Sequence, residues 1–184
     1  MDGVSLDSVL AEKGHLSLDQ TLEILRQTAD SLDFAHSRGV IHQDLKPANI
    51  MIEGETVKVM DFGIARRVAE TMGTVTRMEV VGTPSYMAPE QAHGAASPET
   101  DIYALGATMY EMLSGKRPFS GMMGDFSKLE KAYAPLSAVV PGLPPQIDSV
   151  IDRALDPDPK KRFHSGREFF QALEAISGTP LPHA

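Results

Sequence analysis

The sequence predicts a mainly α-helical fold with one small β-hairpin, and three observations predict it. Leu18, Leu22, Leu25, Ala29, Leu32 and Ala35 recur at three- and four-residue steps, which makes one apolar face of a long helix. Residues 101–113 are apolar on most sides, the pattern of a helix buried at the centre of a core. Between them, Asn49-Ile50-Met51-Ile52 and Thr56-Val57-Lys58-Val59-Met60 flank Glu53-Gly54-Glu55, two short strands around a turn. A chain of 184 residues is long enough to bury a real core.

In chain order, 4–12 reads as a short amphipathic helix through Leu6, Val9 and Leu10. The long helix begins at Ser17, where Ser17 and Gln20 have capping-box spacing, and stops at Gly39. The hairpin's second strand delivers Asp61-Phe62-Gly63. Residues 66–81 lack sustained periodicity and read as a loop, and the turn-dense stretch 82–90 ends in Ala88-Pro89-Glu90. Ser97 with Pro98 starts the apolar helix and Gly115 ends it. Residues 121–145 read as irregular apart from one short helix around 125–132. Residues 146–155 are amphipathic, and a last helix spans about 165–176 with Phe169, Leu173 and Ile176 inward. Met109, Met112, Met122 and Met123 read as core or surface filler, not as metal ligands. The Pro- and Gly-rich tail, 177–184, is expected to fray.

Hydrophobic content of 42% and charged content of 23% are ordinary for a globular protein. The net charge of −8 argues against a general nucleic-acid or acidic-membrane binder. The absence of cysteine removes disulfides, thiol catalysis and Cys-based zinc sites, and fits a reducing, cytoplasmic setting. No apolar run approaches a membrane span, and the first residues lack the character of a signal peptide.

The densest chemistry lies in 40–49. His42, Asp44, Lys46 and Asn49 fall within eight residues, and Pro47 stiffens the loop. An Asp can accept a proton, a Lys can neutralise an anion, and an Asn oxygen can bind a hard cation. Taken alone, the cluster reads equally well as a polar turn. Asp61 changes the balance: it lies seventeen residues after Asp44, and the hairpin between them brings it back beside the cluster.

These segments, in this order, resemble the catalytic loop, metal loop and activation segment of eukaryotic-type protein kinases. They are 42–49, Asp61-Phe62-Gly63 and Ala88-Pro89-Glu90. Asn49 follows Asp44 by five residues, as in the H-R-D-x-x-x-x-N pattern. The wording is most similar to bacterial serine/threonine kinases. The resemblance implies a large, mainly helical kinase lobe over 1–176. Within it, 40–52 would be the catalytic loop, 61–90 the metal loop and activation segment, and 97–176 a helical subdomain.

The resemblance also implies roles. Asp44 would be the base and Lys46 the stabiliser of the transferring γ-phosphate. Asn49 and Asp61 would hold Mg²⁺, Met51 would lie under the adenine of ATP, and Thr83 would help form the acceptor pocket of a protein substrate. His42 and Phe62 would be packing members of a stacked spine. Asp101 would anchor the catalytic-loop backbone, and Glu90 and Arg162 would form a buried ion pair. Thr71, Thr74 and Thr76 would be candidate phosphorylation sites.

Two departures qualify this pattern. Position 43 is Gln where the family pattern has Arg, the usual partner of an activation-loop phosphate. Activity is therefore expected to depend weakly on loop phosphorylation. Replacing Thr71, Thr74 and Thr76 together checks this, and a large loss of activity would refute it. In addition, nothing ahead of Val4 resembles the small lobe, its glycine-rich loop or its Val-Ala-Ile-Lys strand. The expectation is a kinase large lobe with the small N-terminal lobe absent, through truncation or a shortened gene product. Such a chain would bind ATP and Mg²⁺ weakly, would be nearly inactive alone, and would be prone to self-association through the exposed inter-lobe face. The alternative reading is a pseudokinase or protein-interaction module.

Overall fold

The computed structural model describes residues 3–62, 85–119 and 124–178. Its elements in order are β1 (Val4–Ser5), α1 (Leu6–Lys13), α2 (Leu18–His36), β2 (Ile50–Glu53), β3 (Thr56–Val59), α3 (Pro98–Ser114), α4 (Gly124–Leu129), α5 (Leu136–Val139), α6 (Gln146–Ala154) and α7 (Gly166–Ser177). Short 3₁₀ turns lie at Pro47–Asn49, Pro89–His93 and Pro159–Lys161.

The long helix α2 is capped as its sequence predicts. Ser17 Oγ accepts from the Gln20 N–H, and Gln20 Oε1 accepts from the Ser17 N–H. Its inward stripe, including Leu22, Leu25, Ala29 and Leu32, is almost wholly buried. Burial of each large apolar side chain contributes about 1.5–3 kcal/mol. Helix α3 is buried from Thr100 to Tyr110, and Gly115 ends it in the left-handed region at φ 68°. Met109 and Met112 lie in the core, whereas Met122 and Met123 fall outside the described residues.

The β region is larger than a hairpin. It is a three-stranded antiparallel sheet of order β1-β2-β3, with Val4 opposite Ile52 and Ser5 opposite Met51. The first helix therefore begins at Leu6 instead of Val4, and Ser5 is its N-cap, accepting from the Ser8 N–H. Extending the chain at Val4–Ser5 gives the outer edge of β2 a hydrogen-bonding neighbour. The opposite edge, β3, is met by a side chain. Gln27 of α2 accepts from the Val57 N–H and donates to the Glu55 carbonyl, each at 2.8 Å. The amide stands where a fourth strand would pair and pins the sheet to α2.

The C-terminal half closes around α3. Helix α7 packs along α2 so closely that a Cβ at Gly166 would lie 2.8 Å from both Cα and O of Ala29. Asp33 of α2 accepts from the Gly166 and Arg167 N–H groups, so α2 also supplies the α7 N-terminus with a carboxylate. The stretch read as irregular holds two short helices, α4 and α5. Leu136 anchors α5 with no exposure, and Asp148 of α6 accepts from the Ser137 N–H. Among the described residues, no helix is long and apolar enough to cross a membrane.

Candidate active site

The site is assembled on the first turn of α3. Asp101 is fully buried there, where the helix N-terminus favours a carboxylate. Its Oδ2 accepts from the His42 N–H at 2.8 Å and faces His36 Nε2 at 2.7 Å. Its Oδ1 accepts from the Gln43 N–H at 2.8 Å. One carboxylate thus collects three donors and ties the loop ahead of Asp44 to the central helix. His36, on the last turn of α2, was not among the residues anticipated from sequence. Its only prior signal was a histidine at a helix C-terminus.

His42 joins the two loops of the site. Its ring Nε2–H donates to the Met60 carbonyl at 2.7 Å, and its Nδ1 accepts from the Asp44 N–H at 3.3 Å. A carbonyl can only accept and an N–H can only donate, so these partners set the tautomer with the proton on Nε2. The ring is buried and packs on Phe62 at a centroid distance of 4.8 Å.

Asp44 and Lys46 face one another at 2.7 Å between Oδ2 and Nζ, and both stay partly exposed. Leu45, between them, is buried and holds the loop in place. The 3₁₀ turn at Pro47–Asn49 then carries Asn49 back under Asp44, where its Nδ2 donates to the Asp44 carbonyl at 2.9 Å. That bond orients the amide and leaves its oxygen as the acceptor end. The hairpin ladder runs on past the strands through the Met60 N–H to the Asn49 carbonyl at 2.8 Å, so Asp61 emerges next to Asn49's partner. Asp61 is exposed. Met51 sits on the middle strand, opposite Lys58 and Ser5, and is partly buried.

Three described residues other than glycine have positive φ, and two of them are here: Gln43 at 67° and Asp61 at 62°. Holding a side chain in that region costs about 1 kcal/mol or more and needs surroundings that over-determine it. Asp101 and His42 supply them for Gln43.

No group of three or more His, Cys, Asp and Glu side chains among the described residues could hold a metal by itself. The donors on offer are an oriented amide oxygen on Asn49 and the carboxylate of Asp61. They fit a hard cation that completes its shell with phosphate oxygens and water, as Mg²⁺ does beside a nucleotide.

A second assembly ties the far side of the site to the C-terminal half. Arg162 has no exposure. Its Nη1 and Nη2 donate to the two Glu90 oxygens at 2.7 Å each. The remaining donors reach the carbonyls of Glu99 at 3.0 Å, Asp156 at 2.7 Å and Pro157 at 3.3 Å. All five N–H groups are thereby used. Thr100 Oγ1 adds a bond to Glu90 Oε1 at 2.9 Å. Nearby, the Tyr86 hydroxyl donates to Glu111. Burial, and after it the Glu111 carboxylate, push the Tyr86 phenol well above its ordinary value, so it remains a donor. Gln91 reaches across to the Gln43 carbonyl at 2.7 Å. Sequence reasoning found neither the Tyr86 nor the Gln91 contact.

Thr83 and the threonines Thr71, Thr74 and Thr76 lie outside the described residues. An apolar groove between α2 and β3 is lined by Phe34, Val40, Val57 and Phe62, with Phe34 and Val40 exposed.

A family profile described as "Protein kinase domain" matches residues 1–174. The chain is 42% identical over 184 residues to the serine/threonine-protein kinase PknA of Mycobacterium tuberculosis, covering 99% of this chain and 42% of that protein. It is 36% identical over 190 residues to the serine/threonine-protein kinase PknB of the same organism, covering 100% of this chain and 30% of that protein. It thus spans less than half the length of these relatives. Among solved structures it is similar to the kinase domain of M. tuberculosis PknI, with a TM-score of 0.75 at 30% identity, covering 97% of this chain and 64% of that one.

Proposed function

The chain belongs to the protein kinase domain family, and from that membership we propose that it transfers the γ-phosphate of ATP to serine and threonine hydroxyls of proteins. The observation that carries this reading is the gathering of Asp44, Lys46 and Asn49 on one loop, Lys46 and Asn49 each bonded to Asp44, with His42 holding the Asp44 N–H and the Met60 carbonyl just ahead of Asp61. In the same reading 40–52 serves as the catalytic loop, 61–90 as the metal loop and activation segment, and 97–176 as the helical subdomain.

In this reading Asp44 accepts a hydrogen bond from the acceptor hydroxyl, orients it and takes its proton as the oxygen bonds to the γ-phosphorus and the bond from that phosphorus to the β-phosphate oxygen breaks, with ADP as the leaving group. Lys46, already beside Asp44, presents its ammonium to the transferring phosphoryl group and offsets its negative charge. Asn49 and Asp61 are the residues that would hold Mg²⁺, which would supply charge neutralisation at the ATP phosphates. Met51, on the adjoining strand, is the residue that would meet the adenine ring. The described donors all come from one pair of loops, so the 184 residues assayed alone are expected to bind Mg-ATP weakly.

The test is transfer of labelled γ-phosphate from Mg-ATP to a library of serine- and threonine-containing peptides by the full-length natural protein. Label on serine or threonine, lost in Asp61→Ala, is the expected result. A protein that binds partners through this lobe yet transfers nothing would favour the interaction-module alternative.

A further inference from the structure

We propose that Gln91 is a positioning residue for phosphoryl transfer: its carboxamide ties the end of the Ala88-Pro89-Glu90 segment to the peptide unit that immediately precedes Asp44. The inference deepens the kinase reading above and rests on it for its catalytic consequence, whereas the tie itself is a matter of geometry.

The peptide unit between residues 43 and 44 contributes the Gln43 carbonyl and the Asp44 N–H. The carbonyl accepts from Gln91 Nε2 at 2.7 Å, and the N–H donates to His42 Nδ1 at 3.3 Å. The plane is therefore held at both ends. On the preceding side, the Gln43 N–H is held by Asp101 at 2.8 Å. These three bonds are what keep Gln43 in the left-handed region at φ 67°. The orientation of this plane sets the direction in which the Asp44 side chain leaves the backbone, because one bond separates it from the Asp44 Cα.

The other end of the Gln91 amide is also used. Its Oε1 accepts from the Ala88 N–H at 2.9 Å. Ala88 is buried and is followed by Pro89 and by Glu90, which Arg162 clamps. One neutral side chain thus spans two parts of the chain separated by 48 residues, and it does so as a simultaneous donor and acceptor. An amide of this length suits both ends. A Met would serve neither, and a Glu would keep the Ala88 bond but set an anionic oxygen against the Gln43 carbonyl.

The tie uses a main-chain acceptor at position 43. It needs neither a charged side chain there nor a phosphate nearby. It therefore supplies a physical route by which the activation-segment end and the base stay in register with a glutamine at 43.

Gln91→Glu and Gln91→Met in the full-length natural protein separate the two contacts. Amide hydrogen exchange is expected to accelerate at Gln43 and Asp44 in both variants, and at Ala88 in Gln91→Met only. In the kinetics, kcat for peptide phosphorylation is expected to fall about tenfold in Gln91→Glu, with the KM for ATP within about twofold, because a small turn of Asp44 misaligns the attack without touching nucleotide contacts. Unchanged exchange at 43–44 would overturn the tie. Faster exchange with an unchanged kcat would overturn the positioning role. A wild-type protein that transfers no phosphate would defeat the kinase reading instead, and the exchange comparison would still decide whether the tie exists.

Discussion

Asp44→Asn is expected to lower phosphoryl transfer by about 10²–10⁴-fold, the usual contribution of a positioned general base. The exchange is close to isosteric. The Asn49 bond goes to the Asp44 main-chain carbonyl and survives the change, as does the Asp44 N–H bond to His42. What is lost is the proton acceptor and the anionic partner of Lys46 at 2.7 Å. The thermal midpoint should accordingly move little while kcat collapses. Peptide phosphorylation and a melting curve on the same sample check this. Transfer retained within a few fold would remove Asp44 from the role of base.

Arg162→Met carries the largest expected stability effect. Removing one partner of a buried ion pair costs about 3–5 kcal/mol, because the other charge is left without compensation. Here the loss also strips a donor from each of the carbonyls of Glu99, Asp156 and Pro157. Thr100 remains to Glu90, but one hydroxyl cannot replace a guanidinium fork. For a domain of this size the expected fall in melting midpoint is about 6–20 °C. Activity should fall with it, since Glu90 immediately precedes Gln91, which reaches the Gln43 carbonyl next to Asp44. Replacing both partners, Glu90→Leu with Arg162→Met, should be milder than Arg162→Met alone, because no unpaired carboxylate remains buried. Thermal melts of the two singles and the double form the cycle that checks it. A single replacement that melts with the wild type would show that the pair contributes nothing.

The strong periodic elements were legible because their signal is local. Helix α2 carries its own cap and its own apolar stripe, and α3 is apolar enough to declare its burial. The hairpin was legible from two apolar runs around Gly54, which sits at φ 63°. The cluster at 42–49 was legible as chemistry because its side chains crowd into one turn, and its likeness to kinases supplied the wider roles, the Glu90–Arg162 pairing among them. The strand at Val4–Ser5 was not legible. Two residues have no period, and their strand character exists only because β2 presents an edge to pair with. The same reason hid α5, a four-residue helix whose signal is one buried leucine.

The molecule therefore divides by the range of its interactions. Helix spans, the hairpin and the identities of Asp44, Lys46, Asn49 and Asp61 follow from residues close together along the chain, where spacing and hydrophobic period act directly. The setting of those residues does not. His36 meets Asp101 across 65 residues, and Gln91 meets Gln43 across 48. Gly166 is needed only because α7 lies against Ala29. A lone polar side chain or a glycine gives no local sign of a partner so distant. Its role appears only once the apolar faces have packed and brought the two ends together, and in this chain those long-range bonds are what hold the backbone on either side of Gln43.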